Sequence, residues 1–226
     1  MALLALAGLL ACRLKTDPDQ AVAVEVILPD SGRVEITDTY RPRGRALNGV
    51  GDSVAAQLYW SSLDTAFIAV LDSATGVSLA KAVGSGRLQA RVGALPSNPQ
   101  SVSVLAKLDS LRAGSATRHT VFVTPVPPNT LADSLSDSLT VQAFAHPSDP
   151  VNRRVVYLAT TYPSSDSTVT LLPSDSVLTN SAGVAVARVK LRKGPAPDSV
   201  VVTATMKRLD GTVIPDSVTF VVEFRP

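Results

Sequence analysis

The side chains that could ligate a metal or transfer a proton are few in this sequence and widely spaced. His119 and His146 are its two histidines, and neither has a Cys or His companion at the spacing of a zinc site. The aspartates occur singly, apart from Asp17 and Asp19, so no loop offers the several oxygens that Ca²⁺ requires. The sequence has no G-x-S-x-G elbow, Walker loop or H-E-x-x-H motif. A Ser-His-Asp triad could be assembled in space, as in almost any chain of this size. We predict a non-catalytic protein without metal or cofactor.

Trp60 is the one tryptophan, and with Tyr59 beside it the indole could stack on a sugar or a peptide. It also ends an alternating row in which every second residue is apolar, from Val54 through Ala56 and Leu58. A large aromatic side chain in such a row belongs to a strand face that is buried. The alternation therefore favours a core position for Trp60 over a ligand-binding one.

Three arginines at alternate positions, Arg41, Arg43 and Arg45, could together meet a phosphate or a lipopolysaccharide. The simpler interpretation is an exposed loop. A second basic group alternates onto the outward face of a predicted strand, where charge keeps a sheet soluble; it consists of Arg188, Lys190, Arg192 and Lys193.

The overall charge excludes one class of partner. The 226 residues contain 21 Lys and Arg against 19 Asp and Glu, a net charge of +2, without the basic excess that nucleic acid selects. Aromatic residues make up only 4%, which is too few for a platform that stacks bases. We expect no nucleic-acid partner. The 45% hydrophobic content supplies ample core for a folded protein.

Alternation with a period of two recurs from residue 22 to the end and predicts an all-β protein. The clearest rows are Leu88–Ala90–Val92, Val200–Val202–Ala204–Met206 and Val218–Phe220–Val222–Phe224. An Asp-Ser pair followed by Val or Leu recurs between the rows. Because Asp and Ser side chains bond the backbone just ahead of them, this triplet predicts a turn that begins a strand. It stands at 52–54, 109–111, 133–135, 137–139, 175–177, 198–200 and 216–218.

The chain resembles itself at an offset of 97 to 98 residues. Ala90-Arg91-Val92 aligns with Ala187-Arg188-Val189, and Phe122 aligns with Phe220 at the end of a predicted final hairpin. A period near 100 residues is that of a seven-stranded sandwich. We predict two tandem domains, 22–125 and 126–226, joined by the proline-rich segment 123–130.

Residues 2–11 form an apolar run that is too short to span a bilayer and ends at the only cysteine, Cys12. The sequence Leu9-Leu10-Ala11-Cys12 resembles the bacterial lipobox, which implies cleavage before Cys12 and its lipidation. A plain secretory leader is the alternative. We expect a signal peptide over 1–11, a tether over 12–21 and no intrachain disulfide. By resemblance to Gram-negative lipoproteins, Arg13 after the cysteine implies sorting to the outer membrane.

Two stretches resemble bacterial immunoglobulin-like (Ig-like) families. Trp60-Ser61-Ser62, Asp64 and Ile68-Ala69-Val70 resemble group 2 domains, and Thr179, Gly183 and Ala185 resemble the group 1 domains of intimin and invasin-type adhesins. The resemblance implies two Ig-like sandwiches. Such modules serve in adhesins, as enzyme appendages and as spacers, so it specifies fold far better than function.

Two classes of function are compatible with these features. One is a cell-envelope lipoprotein, held to the membrane through Cys12, whose Ig-like domains bind an unknown protein or carbohydrate ligand. The other is a passive spacer or an accessory subunit of an envelope complex.

Overall fold

The computed structural model describes residues 20–123, 125–126, 130–131, 134–162, 169–192 and 196–225. These residues form β-strands and a single 3-10 turn, Pro29–Gly32. Within these ranges no helix is long and apolar enough to cross a membrane. The first eleven strands are β1 (Ala23–Ile27), β2 (Arg33–Glu35), β3 (Thr39–Tyr40), β4 (Arg43–Leu47), β5 (Ser53–Val54), β6 (Tyr59–Ser62), β7 (Ile68–Val70), β8 (Ser78–Ala80), β9 (Gly84–Val92), β10 (Leu95–Pro96) and β11 (Gln100–Leu105).

These eleven strands build the first unit. Its largest sheet has the order β10-β9-β11-β2, with β6 also paired to β9, and two three-stranded sheets, β1-β4-β5 and β3-β8-β7, complete it. All pairs are antiparallel except β2, which runs parallel to β11. One core cluster includes Ile68, Leu88 and Val102, and a smaller one joins Trp60 to Val24 and Ala90.

The second unit contains the remaining twelve strands: β12 (Lys107–Ala113), β13 (Arg118–Phe122), β14 (Pro125–Val126), β15 (Thr130–Leu131), β16 (Ser134–Leu135), β17 (Leu139–His146), β18 (Arg154–Tyr162), β19 (Val169–Leu172), β20 (Ser176–Leu178), β21 (Val184–Leu191), β22 (Ser199–Met206) and β23 (Val218–Arg225). One sheet has the order β12-β17-β21-β16, with β19 also on β21, and the other has the order β13-β23-β22-β18-β20.

The two sheets of the second unit pack face to face around one core. Alternate residues of β17 and β21 meet alternate residues of β18, β22 and β23, with Tyr157 and Phe220 among the largest buried side chains. This arrangement is an immunoglobulin-like sandwich, with a first strand that crosses from one sheet to the other. The prediction of an all-β protein of two tandem Ig-like sandwiches is confirmed.

The sheets divide the chain at Ala106, whereas the sequence predicted a boundary between residues 125 and 126. Strand β12 pairs with β17, and β13 runs parallel to β23, so both belong to the second unit. Their inward residues Leu108, Leu111 and Val121 lie in that unit's core. The segment 123–130, predicted to join the domains, therefore follows a strand of the second unit, and only Ala106 separates β11 from β12.

The predicted alignment of the repeat is wrong, because it matches two strands that are neighbours in one sheet. Phe122 and Phe220, which the alignment made equivalent, lie on neighbouring strands of the same sheet and point to opposite sides of it. Phe122 is 74% exposed and Phe220 is fully buried. The predicted final hairpin exists in the second unit, as β22 and β23, but β11 and β13 belong to different units.

The Asp-Ser triplets perform as predicted at most of their positions. In five triplets, a strand begins at the second or third residue. These strands are β5, β17, β20, β22 and β23. Ser134 begins β16, although residue 133 lies outside the described residues. The triplet 109–111 differs, because it lies inside β12, at a break in the register between Leu108 and Ser110.

A buried ion pair joins the two units beside the Ala106 connection. Arg153 of the second unit donates to the carboxylate of Glu35 in the first, and its other guanidinium nitrogen donates to the Ala106 carbonyl over 3.2 Å. Glu35 and Arg153 are both buried. Lys107 Nζ lies 2.5 Å from Asp38 Oδ1 on the first unit. These contacts fix the short connection to both sandwiches.

Candidate functional site

Some of the side chains that could bind a metal or transfer a proton have only structural roles in the fold. His119 is buried on β13, where its Nε2 lies 2.6 Å from the Ala116 carbonyl and its ring lies near Phe220. Across the described ranges, no three His, Cys, Asp or Glu side chains converge as a metal site would require. Cys12, Asp17 and Asp19 lie outside the described residues, so lipidation at Cys12 remains a prediction.

Asp64, part of the Ig-like motif, also acts within the fold. Its carboxylate accepts two bonds from the Arg87 guanidinium, over 2.8 and 3.1 Å, and one from the Arg87 backbone N–H. The hydrogen bond from the Arg87 side chain is the main reason why the pKa of Asp64 lies below its usual range. Ser62 of the same motif donates to the Ile68 carbonyl over 2.6 Å. The motif therefore fastens β6 to β7 and β9.

Trp60 lies in the core of the first unit, as predicted, and is 6% exposed. The predicted strand row before it is wrong in its middle, because residues 55–58 form no strand and Ala56 is exposed. The indole of Trp60 packs against a turn over residues 72–76, in which the Trp60 backbone N–H bonds to the Ser73 carbonyl over 2.7 Å. A Cβ at Gly76 would lie 3.0 Å from three atoms of the ring, and the residue has a φ of +77°. Glycine therefore satisfies both the turn conformation and the close approach to the indole.

A groove of about 820 Å³ opens beside Trp60, and we call it the Trp60 groove. Its lining residues come from four segments of the chain: Ile27 and Pro29, residues 41–44, residues 56–58 with Trp60, and residues 74–75. Its apolar wall is formed by the edge of Trp60 with Leu58 and Pro42, and its polar rim includes Arg41 and Arg43. This volume lies within the range of small-molecule sites. The structure thus brings together the tryptophan and the arginines that the sequence had singled out separately.

Two of the three predicted arginines face this groove, and the third does not line it. Arg45 is held by Glu25, with Nε 2.5 Å from the carboxylate. Arg43 lies opposite Ile27 across the β1–β4 pair, and among the described residues no carboxylate forms an ion pair with it. The arginines were predicted to lie on an exposed loop. They are exposed, but Arg43 and Arg45 belong to β4.

Asp72, which begins the turn that carries the lining residues Ala74 and Thr75, is already hydrogen-bonded within that turn. Asp72 accepts from Thr75 Oγ1 over 2.6 Å and from the Ala74 N–H over 2.9 Å. The pKa of Asp72 lies below its usual range, chiefly because of the Thr75 side-chain bond, with a smaller contribution from the charge of Arg41. Asp72 therefore shapes the turn and interacts weakly with Arg41, whereas no described carboxylate forms an ion pair with Arg43.

Sequence reasoning missed Gln57 and Thr75 as lining residues. Gln57 donates to the carbonyls of Leu58 and Ala74, over 2.9 and 3.4 Å, and so ties the segment before β6 to the 72–76 turn. The residues of the groove come from four segments separated by a dozen or more positions, so no local motif could reveal it.

Comparison with known proteins found no matching family model and no match among curated proteins. Solved structures with a similar arrangement include the Yersinia pseudotuberculosis adhesin InvE, at 15% identity over 87% of this chain and a TM-score of 0.35. This chain spans 58% of that structure. Domains 4 and 5 of the S-layer protein SbsC match at 13% identity over 92% of this chain and 100% of theirs, with a TM-score of 0.33. A C-terminal fragment of intimin, solved with the intimin-binding domain of its receptor Tir, matches at 11% identity over 90% of this chain and 64% of the fragment, with a TM-score of 0.36.

Proposed function

We propose that the protein is a cell-envelope lipoprotein that acts by binding a ligand, with the Trp60 groove as its binding site. The observation that carries this proposal is that one concave site combines an apolar wall with Arg43, with which no described carboxylate forms an ion pair. Binding sites commonly combine a mostly apolar surface with a few charged or polar groups that orient the ligand.

The chemistry of the groove favours binding over catalysis. Arginine stays protonated at neutral pH, so Arg41 and Arg43 can attract and orient an anion but cannot accept a proton from it. The other polar side chains of the groove, Gln57 and Thr75, are neutral hydrogen-bonding groups. A ligand held there would be recognised without being transformed.

A direct binding experiment tests this proposal. The purified chain would be applied to arrays of surface proteins and polysaccharides, beside Ala56→Phe, which places a large ring in the groove. Ala55→Phe is the matched control, because Ala55 is the exposed neighbour that does not line the groove. We expect saturable binding that Ala56→Phe abolishes and Ala55→Phe keeps. Equal binding by both variants would exclude the groove as the site.

A passive spacer is the second candidate, and the inter-unit junction favours it. A connection of one residue with a buried Arg153–Glu35 pair suits a protein that holds its ends at a set separation. A spacer would show no saturable ligand on the arrays, and its role in the cell would survive Ala56→Phe.

The proposed anchor has its own test. Two acyl chains give stable membrane attachment, because each buried methylene contributes about 0.8 kcal/mol, whereas the apolar run of residues 2–11 is too short to span the bilayer. Cys12→Ser should abolish labelling by a radioactive fatty acid and leave the leader uncleaved. Normal processing and location of the Cys12→Ser protein would establish a plain secreted protein instead.

A further inference from the structure

We infer that the Trp60 groove binds an extended acidic peptide, which adds as a strand to the unpaired edge of β4 beside Gly44 and places a carboxylate against Arg43. This inference rests on the proposed function and names the chemical class of its ligand.

The groove borders an edge of β4 that has no neighbouring strand. One edge of β4 is paired with β1 along its whole length, but β5 pairs with the other edge only at Ala46 and Leu47. Residues 55–58, which follow β5, form no strand, and three of them line the groove together with Arg43 and Gly44. The second edge of β4 is therefore unpaired where the strand borders the groove.

The backbone N–H and C=O of Gly44 point toward this unpaired edge. In an antiparallel ladder, alternate residues of a strand direct these groups to alternate sides. Asn48 donates its backbone N–H to the Asp52 carbonyl over 2.9 Å on the β5 side, so Ala46 and Gly44 face that side as well. Among the described residues, no hydrogen bond to either group of the half-buried Gly44 is formed on this edge. Such groups are normally paired, and an added strand would pair both at once.

The side chains around this edge favour a peptide in which apolar and acidic residues alternate. A residue directly across from Gly44 points to the face on which a Gly44 Cβ would lie 3.1 Å from Leu58 Cδ1 and 3.2 Å from Trp60 Cζ2. Its two neighbours point to the opposite face, which carries Arg43. The described lining residues include Arg41 and Arg43 but no Asp or Glu, so the complementary charge is negative. A guanidinium pairs with a carboxylate through two parallel hydrogen bonds.

These features together select a peptide over a smaller anion. Inorganic phosphate could pair with Arg43, but it would leave the apolar wall uncovered and has no N–H to offer the Gly44 carbonyl. An extended peptide supplies a donor, an acceptor, an apolar side chain and a carboxylate at the spacing of a strand.

The only tryptophan of the chain provides the measurement, because Trp60 borders the groove and its fluorescence reports occupancy. The full chain would be titrated with the end-blocked peptide Val-Glu-Val-Glu-Val-Glu, with Val-Lys-Val-Lys-Val-Lys and with trigalacturonate, an anion without a peptide backbone. We expect saturable binding of the glutamate peptide that weakens as salt is added. Affinity for the lysine peptide and for trigalacturonate should be lower by about tenfold or more.

Methylation of the peptide nitrogens separates strand addition from simple attraction of charge. In an antiparallel added strand, a valine lies across from Gly44, so the valine N–H groups point to β4 and the glutamate N–H groups point away. Methylating the three valine nitrogens should abolish binding. The matched control has its three glutamate nitrogens methylated and should still bind. Equal binding of the two methylated peptides would overturn the inference.

Two variants test the residue assignment. Arg43→Ala should weaken binding of the glutamate peptide by about tenfold or more, whereas Arg33→Ala, which removes the same charge from an exposed site of the first unit outside the groove, should change it by less than about twofold. Equal effects of the two variants, or equally tight binding of trigalacturonate, would also overturn the inference. If the glutamate peptide does not bind but Ala56→Phe still abolishes binding on the arrays, the proposed function stands and this ligand class is wrong.

Discussion

The position of the unit boundary predicts which fragments of this protein fold. A fragment that begins at residue 126 lacks β12 and β13, and with them the buried side chains Leu108, Leu111, Val121 and Val123. Burial of a large apolar side chain contributes about 1.5–3 kcal/mol, so the four together account for about 6–12 kcal/mol. Since whole domains are stable by only about 5–15 kcal/mol, this fragment should be unfolded.

A fragment that begins at residue 106 retains both strands and should fold. Amide chemical-shift dispersion and thermal melting followed by circular dichroism would compare the two fragments, which share one C-terminus. We expect a dispersed spectrum and a cooperative transition from 106–226, and a collapsed spectrum without a transition from 126–226. A cooperatively folded 126–226 would refute the assignment of β12 and β13 to the second core.

Three further predictions concern single residues. Trp60→Ala should lower the free energy of unfolding by about 3–5 kcal/mol in chemical denaturation, because the indole is buried; wild-type stability would contradict its core position. Tyr157→Phe should raise that free energy by about 1 kcal/mol, since the buried Tyr157 hydroxyl has no hydrogen-bond partner among the described residues; a marked loss would reveal a missed partner. Because Arg87 lowers the folded-state pKa of Asp64 below 3.8, the stabilisation is present above that pH and lost as pH falls through the lowered pKa. The stability difference between wild type and Asp64→Asn should therefore vanish in acid, and a constant difference would show that ionisation of Asp64 is irrelevant.

The sequence was sufficient to predict the long strands β9, β22 and β23 and the core face of each, because one-sided burial leaves an alternating pattern in them. The rows ending at Met206 and Phe224 are buried as the pattern requires. Trp60 was also placed correctly in the core. The Asp-Ser triplets marked strand starts because a turn signal is local in the sequence and does not depend on which unit a strand joins.

The boundary could not be predicted from the same pattern. Strands β13 and β23 have similar alternation because they lie side by side in one sheet and bury residues against one core, so self-comparison mistook neighbours for repeats. Alternation reports which side of a strand is buried and contains nothing about its partner. The groove was equally inaccessible, since it depends on how β4 and the 72–76 turn approach β6.

The parallel pairing of β13 with β23 determines how the second sandwich resists tension. A pull that separates the two ends of this unit slides these strands past each other along their length. The hydrogen bonds from Arg118 to Phe122 are then strained together, in shear, instead of opening one after another as in a zipper. In the first unit, β2 lies parallel to β11 in the same way. Because only Ala106 separates the two units, tension passes from β11 directly to β12 and reaches the β13–β23 pair through that strand.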